Sequence, residues 1–140
     1  MLAIIRIKGR VKVSYDAENT LSRLRLRRKY ACVVIKPSKE NLGMVKRVKD
    51  FVAYGEIKKE TFEKLLEKRS RLIDRKKKTD FKNAASGIEA GKNYEEFNIK
   101  PFFRLHPPRD GIEIKKQFGV GKGVLGNNKE NINKLIERML

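Results

Sequence analysis

Leu2-Ala3-Ile4-Ile5-Arg6-Ile7-Lys8 opens the chain with a β-branched run that turns alternating at its end, the pattern of a buried strand, and Gly9 stops it. Ala17, Leu21 and Leu24 follow at i, i+4 and i+7 behind Asp16, a residue suited to an N-cap. This spacing predicts a helix, with Arg23, Arg25, Arg27 and Arg28 around it or just past its end. Tyr30-Ala31-Cys32-Val33-Val34-Ile35 is a second near-continuous apolar run, closed by Pro37, which steers the preceding residue to extended geometry. Asn41 caps a short predicted helix with Leu42, Val45 and Val48 on one side and Lys46, Arg47 and Lys49 toward the other; Gly43 weakens it. Phe51 to Ile57 reads as a third strand. The order β-α-β-α-β is thus complete by residue 58, a length at which a domain folds alone only marginally.

Beyond that point the period becomes helical. Thr61 is the expected cap for Phe62, Leu65 and Leu66, and the helix runs toward the basic stretch Arg69 to Lys78, which is expected to project. Thr79 to Ala85 predicts another short helix, with an irregular stretch from Ser86 to Asn93. Residues 99 to 111 place aromatic and basic side chains between prolines, which forbids a regular helix and predicts an extended arm. Ile112-Glu113-Ile114 reads as a short strand, followed by a turn rich in glycine at 119, 121, 123 and 126. Asn128 suits an N-cap for a last helix, where Ile132, Leu135, Ile136 and Met139 share one face. The expected division is a core at 1–58, a helical basic insertion at 59–98, and an arm, glycine turn and terminal helix at 99–140 packed with the core as one domain.

Composition narrows the chemistry. The 140 residues carry 35 Lys plus Arg against 17 Asp plus Glu, a net charge of +18 that asks for an anionic partner. More than half of that excess lies within residues 1 to 50, on the part with the clearest folded pattern. A disordered basic tail has charge without apolar periodicity, the opposite arrangement. One cysteine, Cys32, excludes an internal disulfide framework, and one histidine, His106, leaves zinc or a Cys/His nucleophilic site almost without ligands. No apolar run reaches the roughly 20 residues of a membrane span, and the apolar N-terminus is broken by Arg6 without a cleavage site, so a soluble intracellular protein without a membrane partner is expected.

Gly121 to Gly126 spells G-x-G-x-x-G, but no acidic ribose partner follows at the required distance, and Lys122 is followed by Gly123 instead of the Ser or Thr of a phosphate loop. Cofactors are therefore not expected. His106 has no nucleophile or carboxylate close in sequence, and Cys32 sits within an apolar run, as a buried inert thiol does. The basic constellation is more specific: Arg25, Arg27 and Arg28 gather at the exit of the first helix, and Arg10 and Lys12 follow the first strand. Guanidinium forks bind phosphate bidentately and stack on unpaired bases. No helix-turn-helix, zinc knuckle, basic zipper or homeodomain spacing is present, nor the aromatic signature of an RNA-recognition motif. Binding to a large structured RNA by shape and phosphate is the reading left, with DNA not expected.

Thr20-Leu21 through Leu24-Arg25-Leu26-Arg27-Arg28-Lys29, the Val33-Val34-Ile35 strand and Gly43-Met44-Val45 with Val48 resemble the core of the large-subunit ribosomal protein family L-thirty. Phe102-Phe103-Arg104-Leu105-His106-Pro107-Pro108-Arg109-Asp110-Gly111 and the ending Gly126-Asn127-Asn128 through Met139 are similar to the longer archaeal form, whose eukaryotic counterpart is called L-seven. The stretch Arg10 to Ser14 departs from the Ser-x-Ile-Gly of the bacterial first loop. The resemblance implies an α+β fold with a β-α-β-α-β core, two helices on a three-stranded mainly antiparallel sheet, and no catalysis. It implies a cytoplasmic protein of the large ribosomal subunit, with 23S-type ribosomal RNA as partner and 5S ribosomal RNA and other large-subunit proteins nearby. The residues expected to meet phosphate are Arg10, Lys12, Arg25, Arg27, Arg28, Lys46, Arg47, Lys49, Arg104 and Arg109. Two other classes remain open at this point: an RNA-modifying or nucleotide-dependent enzyme using the glycine stretch, and a free regulatory RNA-binding protein.

Overall fold

Strand β1 (Leu2–Arg6) is buried at all five positions, because both faces of the sheet around it are covered. The computed structural model describes residues 1–140. β1 pairs antiparallel with β2 (Ala31–Ile35) on one side and with β3 (Val52–Glu56) on the other. β4 (Phe103–Arg104) adds antiparallel to β2, β6 (Gly123–Asn127) adds parallel to β3, and β5 (Glu113–Gln117) lies outside β6, giving the order β4-β2-β1-β3-β6-β5.

The α+β class and the β-α-β-α-β core are as expected, but the sheet has six strands instead of three. Of the three added strands, β5 overlaps the short strand expected at Ile112 to Ile114, and the other two come from segments without strand periodicity. The expected arm contributes β4, with Phe103 fully buried, and the glycine turn contributes β6, with Val124 and Leu125 in the core. Gly123 explains why the pattern was illegible: a Cβ there would collide with the backbone carbonyl oxygens of Gln117 and Lys116, so only glycine lets β5 approach.

Helices α1 (Tyr15–Arg23) and α2 (Lys39–Arg47) cover the face formed by Leu2, Ile4, Val33 and Val52. Their caps are serines and not the expected Asp16 and Asn41. Ser14 Oγ accepts from the Ala17 amide at 3.3 Å, and Ser38 Oγ from that of Asn41 at 3.2 Å. Helices α3 (Lys59–Arg69), α4 (Phe81–Glu89) and α5 (Ile132–Met139) cover the opposite face, where Phe62, Leu65, Leu66, Ala84, Ile88, Leu135 and Ile136 meet Ala3, Ile5, Cys32 and Val34. Burying each large apolar side chain there contributes about 1.5–3 kcal/mol.

Other local expectations shift. Thr61 is buried inside α3 and does not cap it, and α4 continues through Ser86 and Gly87, whose missing Cβ makes room for the Phe97 ring. Asn128 donates to the Val124 and Gly126 carbonyls instead of capping α5. α3 stops at Arg69 and the basic run folds back. Leu72 bridges to Ile99, and Asn98 Nδ2 donates to Asp74 O at 2.8 Å, leaving Arg75 to Lys78 exposed.

Candidate nucleic-acid interface

Arg6 lies in the middle of an apolar strand and is 0% exposed, so its charge needs partners within the protein. Nε donates to Lys8 O at 3.0 Å, Nη1 to Leu26 O at 2.7 Å and Nη2 to Gly9 O at 3.2 Å, while Nη2 meets Glu18 Oε2 at 3.0 Å. One planar guanidinium thereby fastens the loop after β1 to the loop after α1. The same carboxylate approaches Arg10 Nε at 3.9 Å, and Arg10 Nη2 donates to Arg27 O at 3.2 Å. The two basic loops that the sequence left unconnected are joined by these bonds.

The second loop is shaped by the end of α1. Leu26 N donates to Leu21 O at 2.9 Å and Arg25 N to Ser22 O at 3.0 Å, the paired bonds of a Schellman ending, with Leu21 and Leu26 both buried. The left-handed position of that ending ordinarily takes glycine, yet Arg25 occupies it at φ 63°. A strained arginine there is an exposed charge held in a fixed place at a cost to the fold.

β4 brings the third component. Arg104 pairs with Ala31 across the β2 edge and Leu105 N donates to Tyr30 O at 3.1 Å, so the extension arrives beside the end of the basic loop. Arg10, Arg25, Arg27, Arg28, Lys100 and Arg104 then line one concavity of about 490 Å³, with Phe102, Pro101 and Glu95. Partial desolvation, then the neighbouring charges of Arg28 and Arg71, hold the Arg104 guanidinium below its ordinary pKa. It remains charged, within a cluster of like charges.

Five of the ten expected residues therefore converge: Arg10, Arg25, Arg27, Arg28 and Arg104. Lys12 is exposed on the Arg10 loop at φ 58°. Arg47 faces Arg23 across a separate depression between α1 and α2, with Lys46 and Lys49 exposed around the end of α2. Arg109 lies elsewhere, beside α5, its carbonyl accepting from Arg138 Nε at 3.0 Å. The sequence reading missed Arg6 as an organiser and passed over Lys100, Phe102 and Arg71. Alternation of basic and aromatic residues at 100, 102 and 104 was the available signal for two of them.

No group of three potential metal ligands is gathered anywhere in the chain. Burial pushes the Cys32 thiol up to about 12, and His106 is exposed, its amide donating to Met139 O at 2.9 Å. The ribosomal protein L30p/L7e family model matches residues 2–52, the stretch that contains Arg6 and both basic loops. Over the full length, large ribosomal subunit protein uL30 of Methanococcus maripaludis strain C5 is 40% identical, with 99% of this chain and 98% of the relative covered. The chain belongs to the ribosomal protein L30p/L7e family. The uL30 proteins of Nanoarchaeum equitans, 40% identical with 100% and 99% covered, and of Archaeoglobus fulgidus, 39% identical with 99% and 99% covered, are similar to the same extent. A member of the L30p/L7e family is a structural component of the large subunit in cytoplasmic ribosomes, with a part in translation, and is not an enzyme.

Proposed function

We propose that the protein binds and stabilises 23S-type ribosomal RNA near the 5S RNA region of the large subunit, beside neighbouring large-subunit proteins. Arg10, Lys12, Arg25, Arg27, Arg28, Lys46, Arg47, Lys49, Arg104 and Arg109 meet phosphate in this reading. The observation that carries it is the convergence of five arginines from three separated stretches on one concavity, where only Arg10 has a carboxylate within ion-pairing distance. RNA fits better than DNA, because these cations stand on two loops and the short strand β4 around a hollow and not along a helix that would enter a major groove. The segments 1–58, 59–98 and 99–140 act as one body in this account, since β4 must stay on the β2 edge to complete the hollow.

Each phosphate contact releases counterions, so affinity falls steeply as salt rises. Sedimentation of a cell extract tests the assignment: stoichiometric migration with large subunits through a moderate-salt wash is expected. A pool confined to the light fractions would contradict it and favour a free regulatory RNA-binding protein.

A further inference from the structure

The hollow differs from a surface built only to lie along a duplex. A-form RNA presents its phosphates as ridges, which a flat or gently curved basic face tracks without enclosing them. Here cations stand on the walls of a concavity of about 490 Å³, within the ~300–1,000 Å³ of small-ligand sites. Phe102 is half-buried in its lining, with the Arg104 guanidinium 5.9 Å from the ring centroid. An aromatic ring and an arginine plane together form a stacking platform for an unpaired base.

Glu95 is the informative exception. It is the one carboxylate among six cations in the lining, and it forms no ion pair within 4.0 Å. A site for phosphate alone loses affinity by including it. A base bearing an exocyclic amino group gains an acceptor from it, because a carboxylate offers only acceptor oxygens.

We propose that this concavity receives one unpaired nucleotide extruded from the RNA, with its phosphate on Arg25, Arg27, Arg28 and Arg104 and an amino-bearing base between Phe102 and Glu95. This rests on the RNA-binding reading above and narrows it from a backbone surface to a nucleotide pocket. The like charges around Arg104 agree with it, since a bound phosphate relieves their repulsion.

The full chain is titrated with three RNA hairpins of one sequence: fully paired, with a single bulged adenosine, and with a single bulged uridine. The bulged adenosine binds about tenfold tighter than the paired hairpin, the size expected of one stacked base, and uridine falls between them. 2-Aminopurine at the bulge is quenched on binding. Phe102→Leu, which keeps an apolar side chain and is checked for folding by circular dichroism, abolishes the quenching and brings bulged and paired hairpins to equal affinity. Glu95→Met makes adenosine and uridine equal. Equal affinity of the wild-type chain for bulged and paired hairpins would overturn the nucleotide pocket while leaving the RNA-binding reading intact. Failure of every hairpin to bind in a salt-dependent way would instead sink that underlying reading, and the pocket with it.

Discussion

The arginine hollow has a counterpart of nearly equal size and opposite character. A groove of about 510 Å³ between α3 and α4 is lined by Glu60, Glu63, Glu67 and Asp80, with Lys64 and Lys82. The groove lies on the cover over Ala3 and Ile5, whereas the Arg10 and Arg25 loops flank α1 on the cover over Leu2 and Ile4. The two concavities thus differ in the sign of the charge that lines them, six cations with one carboxylate against four carboxylates with two cations, and this local contrast distinguishes a binding surface from general basicity. The α3–α4 side closes the larger apolar cluster and keeps a mixed, solvated exterior, where an exposed pair such as Lys64 with Glu137 contributes about 0–1 kcal/mol. On the other side the loops are fixed by a buried guanidinium and each carries a left-handed non-glycine residue, Lys12 in one and Arg25 in the other, so their placement is specified far beyond what solubility needs.

Replacing the fastener should have the largest effect. Arg6→Met leaves Glu18 without its main partner and three carbonyls without a donor, costing about 3–5 kcal/mol in urea unfolding, and RNA affinity falls with it. Arg6→Lys does not restore the wild type, because an ammonium cannot span both loops as the planar fork does. A loss below about 1 kcal/mol with intact binding would mean that the loops hold their shape independently.

The contrast between the two concavities is tested next. Arg27→Ala with Arg28→Ala lowers ribosomal RNA affinity at least about tenfold near 0.1 M salt and flattens the slope of log affinity against log salt by roughly 1.4–1.8. Glu63→Gln with Glu67→Gln, which also changes two charges, leaves the slope unaltered. A gain in affinity from the glutamate pair equal to the loss from the arginine pair would show that only net charge matters. A smaller effect of opposite sign on stability follows from Arg25→Gly. It relieves the left-handed strain and stabilises the fold by about 1 kcal/mol in thermal or urea unfolding, while RNA binding weakens several-fold.

The effect that is smallest at neutral pH, because it emerges only on alkaline titration, concerns Cys32 in the middle of the sheet. Cys32 is neutral in the fold up to about pH 12 but ionises near its ordinary value of 9.0 in the unfolded chain. The unfolded state thus binds fewer protons in that window, and stability declines as pH rises from about 9 toward 12. Tyr94, raised by burial and by Cys32 beside it, adds in the same direction. Cys32→Ala shows a shallower decline, and in the folded wild type the thiol stays unreactive toward iodoacetamide at pH 8.

The contrast also shows how far sequence reaches. Residues 1–58 were legible because their apolar runs are uninterrupted: Leu2 to Ile5 and Cys32 to Val34 read as buried strands, and both covering helices show their stripes. β4 and β6 were not legible, since two residues after a proline and five built around Gly123 and Gly126 carry no period-2 signal; the β2 and β3 edges make them strands. The arginines of the hollow were legible individually as charge. Their convergence was not, because it depends on Arg6 inside an apolar strand and on a contact between residues 31 and 104.

Arginine-directed footprinting of the protein inside intact large subunits tests the central claim most directly, with phenylglyoxal as the probe and the free protein as reference. Arg25, Arg27, Arg28 and Arg104 are expected to react in the free protein and to be protected in the subunit, while carbodiimide still labels Glu63 and Glu67. Arginines equally reactive in both states would contradict the account and place the RNA elsewhere.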